Sequence, residues 1–163
     1  LDNSAKVSSV VNKGTIVTTS ASEQGIYNAN SGIHVFNVNA QVKTIDNQGL
    51  ILTSNAGISV SGSATNGDSN VETLKNSGTI KYTGSLDMIN EKNEGYGQGA
   101  GIYVGNVSGS PKINTIENSG LINTYNGMYF SLGSQVENIN NLGTIHAIKD
   151  GIVLGNNASS TEK

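Results

Sequence analysis

The side chains of this 163-residue chain that could carry chemistry are twelve carboxylates, nine lysines, two histidines and six tyrosines; cysteine and arginine are absent. Paired carboxylates could hydrolyse a glycosidic bond, which requires an acid and a base at a defined separation on one face. Among Asp2, Glu23, Asp46, Asp68, Glu72, Asp87, Glu91, Glu94, Glu117 and Asp150, only Glu91 and Glu94 sit close together in sequence. His34 and His146 are far apart in the chain and read as surface residues rather than a shared metal site. Without cysteine, neither disulfides nor thiolate metal sites can contribute. The segment Asn66-Gly67-Asp68-Ser69-Asn70 is rich in oxygen ligands, but the same residue types build an ordinary turn. The Gly-Gly-x-Gly-x-Asp phrase that binds calcium in some repeat proteins does not occur. No catalytic residue, cofactor site or metal site is therefore assigned. The lysines are scattered over a chain of net charge −3, which lacks the basic footprint of a nucleic-acid binder. No apolar run approaches the roughly 20 residues of a spanning helix, so this segment is not expected to enter a membrane.

The elements that would position these groups are read from composition and repetition. Glycine and asparagine supply 21 and 23 residues, and both are poor helix formers. Isoleucine (16) and valine (13) outnumber leucine (9), a balance that favours strands. Regular apolar spacing and low net charge argue against disorder. One core, Asn-x-Gly-(Thr/Leu)-Ile, occurs five times, beginning at Asn12, Asn47, Asn76, Asn118 and Asn141. Upstream of each stands an apolar pair three residues apart: Val7/Val10, Val42/Ile45, Val71/Leu74, Ile113/Ile116 and Val136/Ile139. Downstream a second short strand opens on glycine, at Gly32, Gly57, Gly101, Gly127 and Gly151.

Intervals of 35, 29, 42 and 23 residues separate the repeated asparagines. A fixed core with variable length places insertions at permitted corners. The shortest interval matches one coil of a three-sided β-solenoid, whose coils bury their apolar faces only by stacking. The chain is therefore expected to be all-β: a single solenoid over residues 1–163 of about five coils, starting near residues 7, 42, 71, 113 and 136. Insertions are expected at 17–31 and 81–100, both at one corner, and residues 85–92 read as a short helical turn. The glycine after each asparagine is expected to supply positive φ at a tight corner. The asparagines, stacked at that corner, are expected to form a ladder in which each amide donates to one neighbour and accepts from the other. Val11, Asp46, Lys75, Glu117 and Asn140 should point outward, with alternating charge at Asp46, Lys75 and Glu117. In the Gly-Ile strand, alternation turns Ile33, Ile58, Ile102, Met128 and Ile152 inward together with Val35, Val60, Val104, Phe130 and Leu154. His34, Ser59, Tyr103, Tyr129 and Val153 are then the outward column.

The phrase Ile139-Asn140-Asn141-Leu142-Gly143-Thr144-Ile145 followed by Gly151-Ile152 resembles the β-helical passenger regions of bacterial autotransporter adhesins, and the resemblance runs from about Val7 to Leu154. It implies a right-handed parallel β-helix, secreted to the bacterial cell surface and held at the outer membrane by a separate C-terminal barrel. That barrel is not in this chain. The chain opens at Leu1 with no methionine or signal peptide, so a processed or excised segment is expected.

Right-handed β-helices also include enzymes acting on polysaccharides. Lyases of that architecture resemble one another in using a basic residue, usually arginine, to abstract a proton, and this chain has none. Ice binding would need an unbroken threonine face, but Leu50 and Leu121 interrupt Thr15, Thr79 and Thr144. The preferred function is a non-enzymatic adhesin or scaffold segment, with a surface protein or glycan of host or bacterium as partner. A self-assembling filament or appendage subunit, joined end to end, is the alternative; a polysaccharide-acting enzyme comes third. Loops on a rigid scaffold are where recognition usually resides. The expected contact surface is accordingly the 81–100 insertion with Tyr96, Tyr103 and Tyr129, because tyrosine offers apolar area and a hydroxyl.

Overall fold

The computed structural model describes residues 5–19, 30–36, 39–62, 67–86, 89, 97–105 and 109–156. Short β-rich phrases separated by glycine and asparagine produce short strands, three to each turn of the chain. The first coil is β1 (Lys6–Asn12), β2 (Thr15–Val17) and β3 (Ile33–Phe36). The second is β4 (Gln41–Asn47), β5 (Leu50–Thr53) and β6 (Ile58–Ser61). The third is β7 (Asn70–Asn76), β8 (Thr79–Tyr82) and β9 (Ala100–Val104). The fourth is β10 (Lys112–Asn118), β11 (Leu121–Thr124) and β12 (Asn126–Ser131), and the fifth β13 (Gln135–Asn141), β14 (Thr144–Ala147) and β15 (Ile152–Asn156). Equivalent strands pair in parallel, giving three five-stranded sheets ordered β1-β4-β7-β10-β13, β2-β5-β8-β11-β14 and β3-β6-β9-β12-β15. The other two sides of each coil serve as the crossover between paired strands, wound in the right-handed sense that parallel connections take.

Register follows the repeat. The apolar pairs stack as Val7–Val42–Val71–Ile113–Val136 and Val10–Ile45–Leu74–Ile116–Ile139. With Ile51, Ile80 and Ile122 from the second sheet and Ile58, Ile102 and Met128 from the third, all of them but the exposed Val7 fill one continuous core. Burial falls off at the two end coils. Val10, Ile16, Val136, Ile139 and Ile145 are only partly covered, while Ile152 and Leu154, in the inward columns, are 44% and 72% exposed. Outside, Lys75 and Glu117 meet at 3.0 Å, whereas Asp46 accepts from the Gln48 side chain at 2.6 Å.

The corner between the first and second sheets always contains two residues. There the side-chain amides form an unbroken column: Nδ2 of Asn12, Asn47, Asn76 and Asn118 each donate to Oδ1 of the next asparagine, at 2.8, 2.7, 2.7 and 2.7 Å. Asn47, Asn76 and Asn118 are fully buried. Each corner carbonyl is shared too: Asn47 O accepts from Ser77 N and Gly78 N, both at 2.9 Å, and Asn76 O from Ser119 N and Gly120 N. Burying these groups unpaired would cost roughly 1–3 kcal/mol apiece, so the column is satisfied only as a unit.

The repeat glycines do a different job from the one expected. Among the described glycines, positive φ occurs at Gly67, Gly97, Gly99, Gly133 and Gly155, and at none of the ten repeat glycines. Close stacking is the reason for them: a Cβ on Gly49, Gly78, Gly120 or Gly143 would overlap the carbonyl oxygen of the glycine one coil earlier. Length also varies at a second place. Besides the insertions between the second and third sheets, the third corner widens to residues 62–69 and 105–111. The 85–92 turn lies largely outside the described residues, but Ile89 N donates to Leu86 O at 3.0 Å.

Two expected outcomes follow, both read by thermal unfolding. Asn76→Leu or Asn118→Leu strands a donor on one side and an acceptor on the other, and should lose roughly 1–3 kcal/mol for each; Asn12→Leu, at the half-exposed end of the column, should lose less. Gly78→Ala should lose about 1–3 kcal/mol through overpacking. Gly14→Ala, whose added carbon meets nothing within 4 Å, should stay within about 0.5 kcal/mol.

Candidate functional site

Tyr103 and Tyr129 occupy equivalent positions on β9 and β12 and are direct register partners. Their ring centroids are 6.2 Å apart with planes inclined by 32°. Neither is available to a partner: Tyr103 is 0% and Tyr129 2% exposed. The expectation of an exposed tyrosine surface is thus corrected. Both rings do lie on the outer face of the third sheet, but the returning end of the 81–100 insertion folds across that face. Gly97, at φ 87°, lies so close to Tyr103 that a Cβ would overlap its ring, and Gly99, at φ 78°, approaches Ile89 and Tyr125. Ala56, Ala100 and the partly buried Val153 complete a second, small core around the tyrosines. Ser59 of the same column is also fully buried. Tyr96 lies outside the described residues.

Sequence alternation identified which side of the strand these residues occupy, but it carries no information about what covers that side. The available signal was the pair of alanines, Ala56 and Ala100, before the repeat glycines, together with the Gly97-Gln98-Gly99 phrase. Small residues on both surfaces allow close approach of backbone to ring.

His34 stands at the first-coil end of this column and remains exposed. Its Nε2 shares a 2.9 Å hydrogen bond with Ser61 Oγ, its ring lies 5.1 Å from that of Phe36, and partial burial lowers its pKa. His146 belongs to β14, on another sheet and in the last coil, so the two histidines are not brought together. Asp68, from the oxygen-rich turn, accepts from Ser110 N at 2.6 Å through Oδ1 and ties two neighbouring third-corner loops; Asn66 lies outside the described residues. Among the described residues no three potential metal ligands cluster.

A concave feature on the described surface carries charged groups and was not anticipated. A groove of about 380 Å³ crosses the start of the first sheet over four coils, lined by Lys6, Lys43, Lys112, Glu72, Asn70 and Asn114, with Val7, Val42 and Val71 beneath. Register sets Lys6, Gln41, Asn70 and Lys112 in one row across successive strands. Lys112 is paired with Glu137 at 2.6 Å. These residues fall outside the Asn-x-Gly core of the repeat, where composition alone gives no reason to group them.

Comparison with protein-family models, with curated proteins and with solved structures finds no match to this chain.

If the tyrosine pair is structural, Tyr103→Ser should lower stability by about 3 kcal/mol or more, with a fall in Tm, while Tyr103→Phe keeps the ring and most of the stability. An unchanged Tm for Tyr103→Ser would contradict the buried placement.

Proposed function

We propose that this chain is a non-enzymatic scaffold segment of a bacterial surface adhesin, of the kind whose β-helical passenger it resembles, with a glycan or protein of a cell surface as its partner. The observation that carries the reading is the division of labour between its corners. One corner is locked at two residues in all five coils by the amide column, while the other two vary in length. A rod with one invariant edge and variable flanks separates rigidity from recognition, since insertions on one side of a solenoid often form its binding side. Placement at the cell surface comes from the resemblance, and it agrees with a chain that holds its shape without cysteine.

A second reading, end-to-end association into a filament, is favoured by a specific observation. Among the described residues, the inward-column residues Ile152 and Leu154 of the fifth coil are 44% and 72% exposed. Every ladder amide donates toward the following coil, so a further coil laid on β13–β15 would extend the column in the same sense. Head-to-tail contacts that do not close build filaments.

Beads coated with the chain should be retained on epithelial or bacterial cells above bare beads, and the chain should release no reducing ends from a polysaccharide panel. Failure of retention would contradict the adhesin reading, and released reducing ends would replace it with the enzyme. Sedimentation that grows with concentration, with rods in electron micrographs, would favour the filament.

A further inference from the structure

We infer that the groove across the first sheet is a binding site for an acidic oligosaccharide, one bearing carboxylate or sulfate groups. The inference rests on the attachment reading for its setting and on the geometry of the groove for its chemistry.

Three lysines and one glutamate line the groove, a local excess of positive charge on a chain whose net charge is −3. Among the described residues, Lys6 and Lys43 are in no ion pair, and only Lys112 is held, by Glu137. Two free ammonium groups in one concavity repel each other and attract an anion. The groups between them suit hydroxyls. Gln41, Asn70 and Asn114 present carboxamides that both donate and accept, and Ser8 adds a hydroxyl. The floor between the two rows of side chains is strand backbone at Val7, Val42 and Val71, because Val42 and Val71 turn their side chains into the core.

Spacing strengthens the case. Adjacent strands are about 4.8 Å apart, close to the length of one pyranose unit, so the row Lys6–Gln41–Asn70–Lys112 repeats at the pitch of a sugar chain laid along the solenoid axis. A peptide fits less well. Extended peptides usually join a sheet by pairing with an open edge, and β4, β7 and β10 are already paired on both sides. Deep pockets for alternate side chains are not part of this shallow, amide-lined surface either.

The test is titration of the folded chain with a heparin tetrasaccharide (sulfate and carboxylate), trigalacturonate (carboxylate alone) and a neutral cello-oligosaccharide. At least one acidic probe should bind and the neutral one should not, and binding should weaken as salt is raised, because exposed charges are screened. Lys6→Gln and Lys43→Gln should each weaken binding by about two- to fivefold, the range of an exposed charge contact. Lys81→Gln, on β8 of another sheet, should leave it unchanged. Preference for the heparin fragment would assign sulfate, and equal binding would assign carboxylate. All three substituted lysines are exposed, so circular dichroism should be the same for every variant. No binding by either acidic probe, equal binding of the neutral one, equal loss in Lys81→Gln, or tighter binding of a poly-Glu peptide would each overturn the site. Bead retention that survives in Lys6→Gln/Lys43→Gln would sink the groove while leaving the adhesin reading standing.

Discussion

A single distance governs this protein: each coil must climb by one parallel strand spacing, about 4.8 Å, at every point around its circumference. Sheets meet the requirement through backbone pairing along fifteen strands, but the corners have no strand to enforce it. At the first corner the asparagine amides do so. A carboxamide has a donor at one end and an acceptor at the other, and at this rise the donor of one coil reaches the acceptor of the next at 2.7–2.8 Å. A larger rise would break the column, and a smaller one would drive the glycine backbones into each other. The glycines follow from the same distance, because at that separation a Cβ has nowhere to go.

Locking one corner frees the others. The second and third corners need only return the chain to the next strand, and lengthening a flexible loop is thermodynamically mild, about 0.6 kcal/mol for each doubling. Insertions therefore collect there. The 81–100 insertion has gone further: its returning end lies against the outside of the third sheet and converts Tyr103 and Tyr129 from surface residues into a second core. No described residue of the 17–31 or 81–100 insertion lines the groove of the first sheet, which lies over strands with exposed lysines and amides. Rigid support and open surface thus occupy different sides of the same coil.

Much of this architecture was legible in the sequence, because the interactions that build it are short-range and periodic. The five Asn-x-Gly phrases predicted the coil count and the ladder, and the apolar pairs predicted the register that places Val42 against Val71 and Ile45 against Leu74. Three things were not legible. The repeat glycines were expected to need positive φ, yet their backbone is ordinary, and the constraint comes from the neighbouring coil, which the local sequence does not describe. Tyr103 and Tyr129 were expected to be exposed, because alternation reports the side of a strand and not the path of the loop that leads into it. The lysine groove was not legible because its members, Lys6, Lys43 and Lys112, come together only once four coils are stacked.

The most direct measurement of the ladder is hydrogen exchange of the asparagine side-chain amides, followed by nuclear magnetic resonance in uniformly labelled protein. The account predicts that the carboxamide protons of Asn47, Asn76 and Asn118 exchange only through global unfolding, as slowly as the core amides of β7 and β10, while surface asparagines such as Asn140 exchange freely. Carboxamide protons of Asn76 and Asn118 exchanging as fast as those of Asn140 would contradict it, since no buried column could then be holding the coils at their common rise.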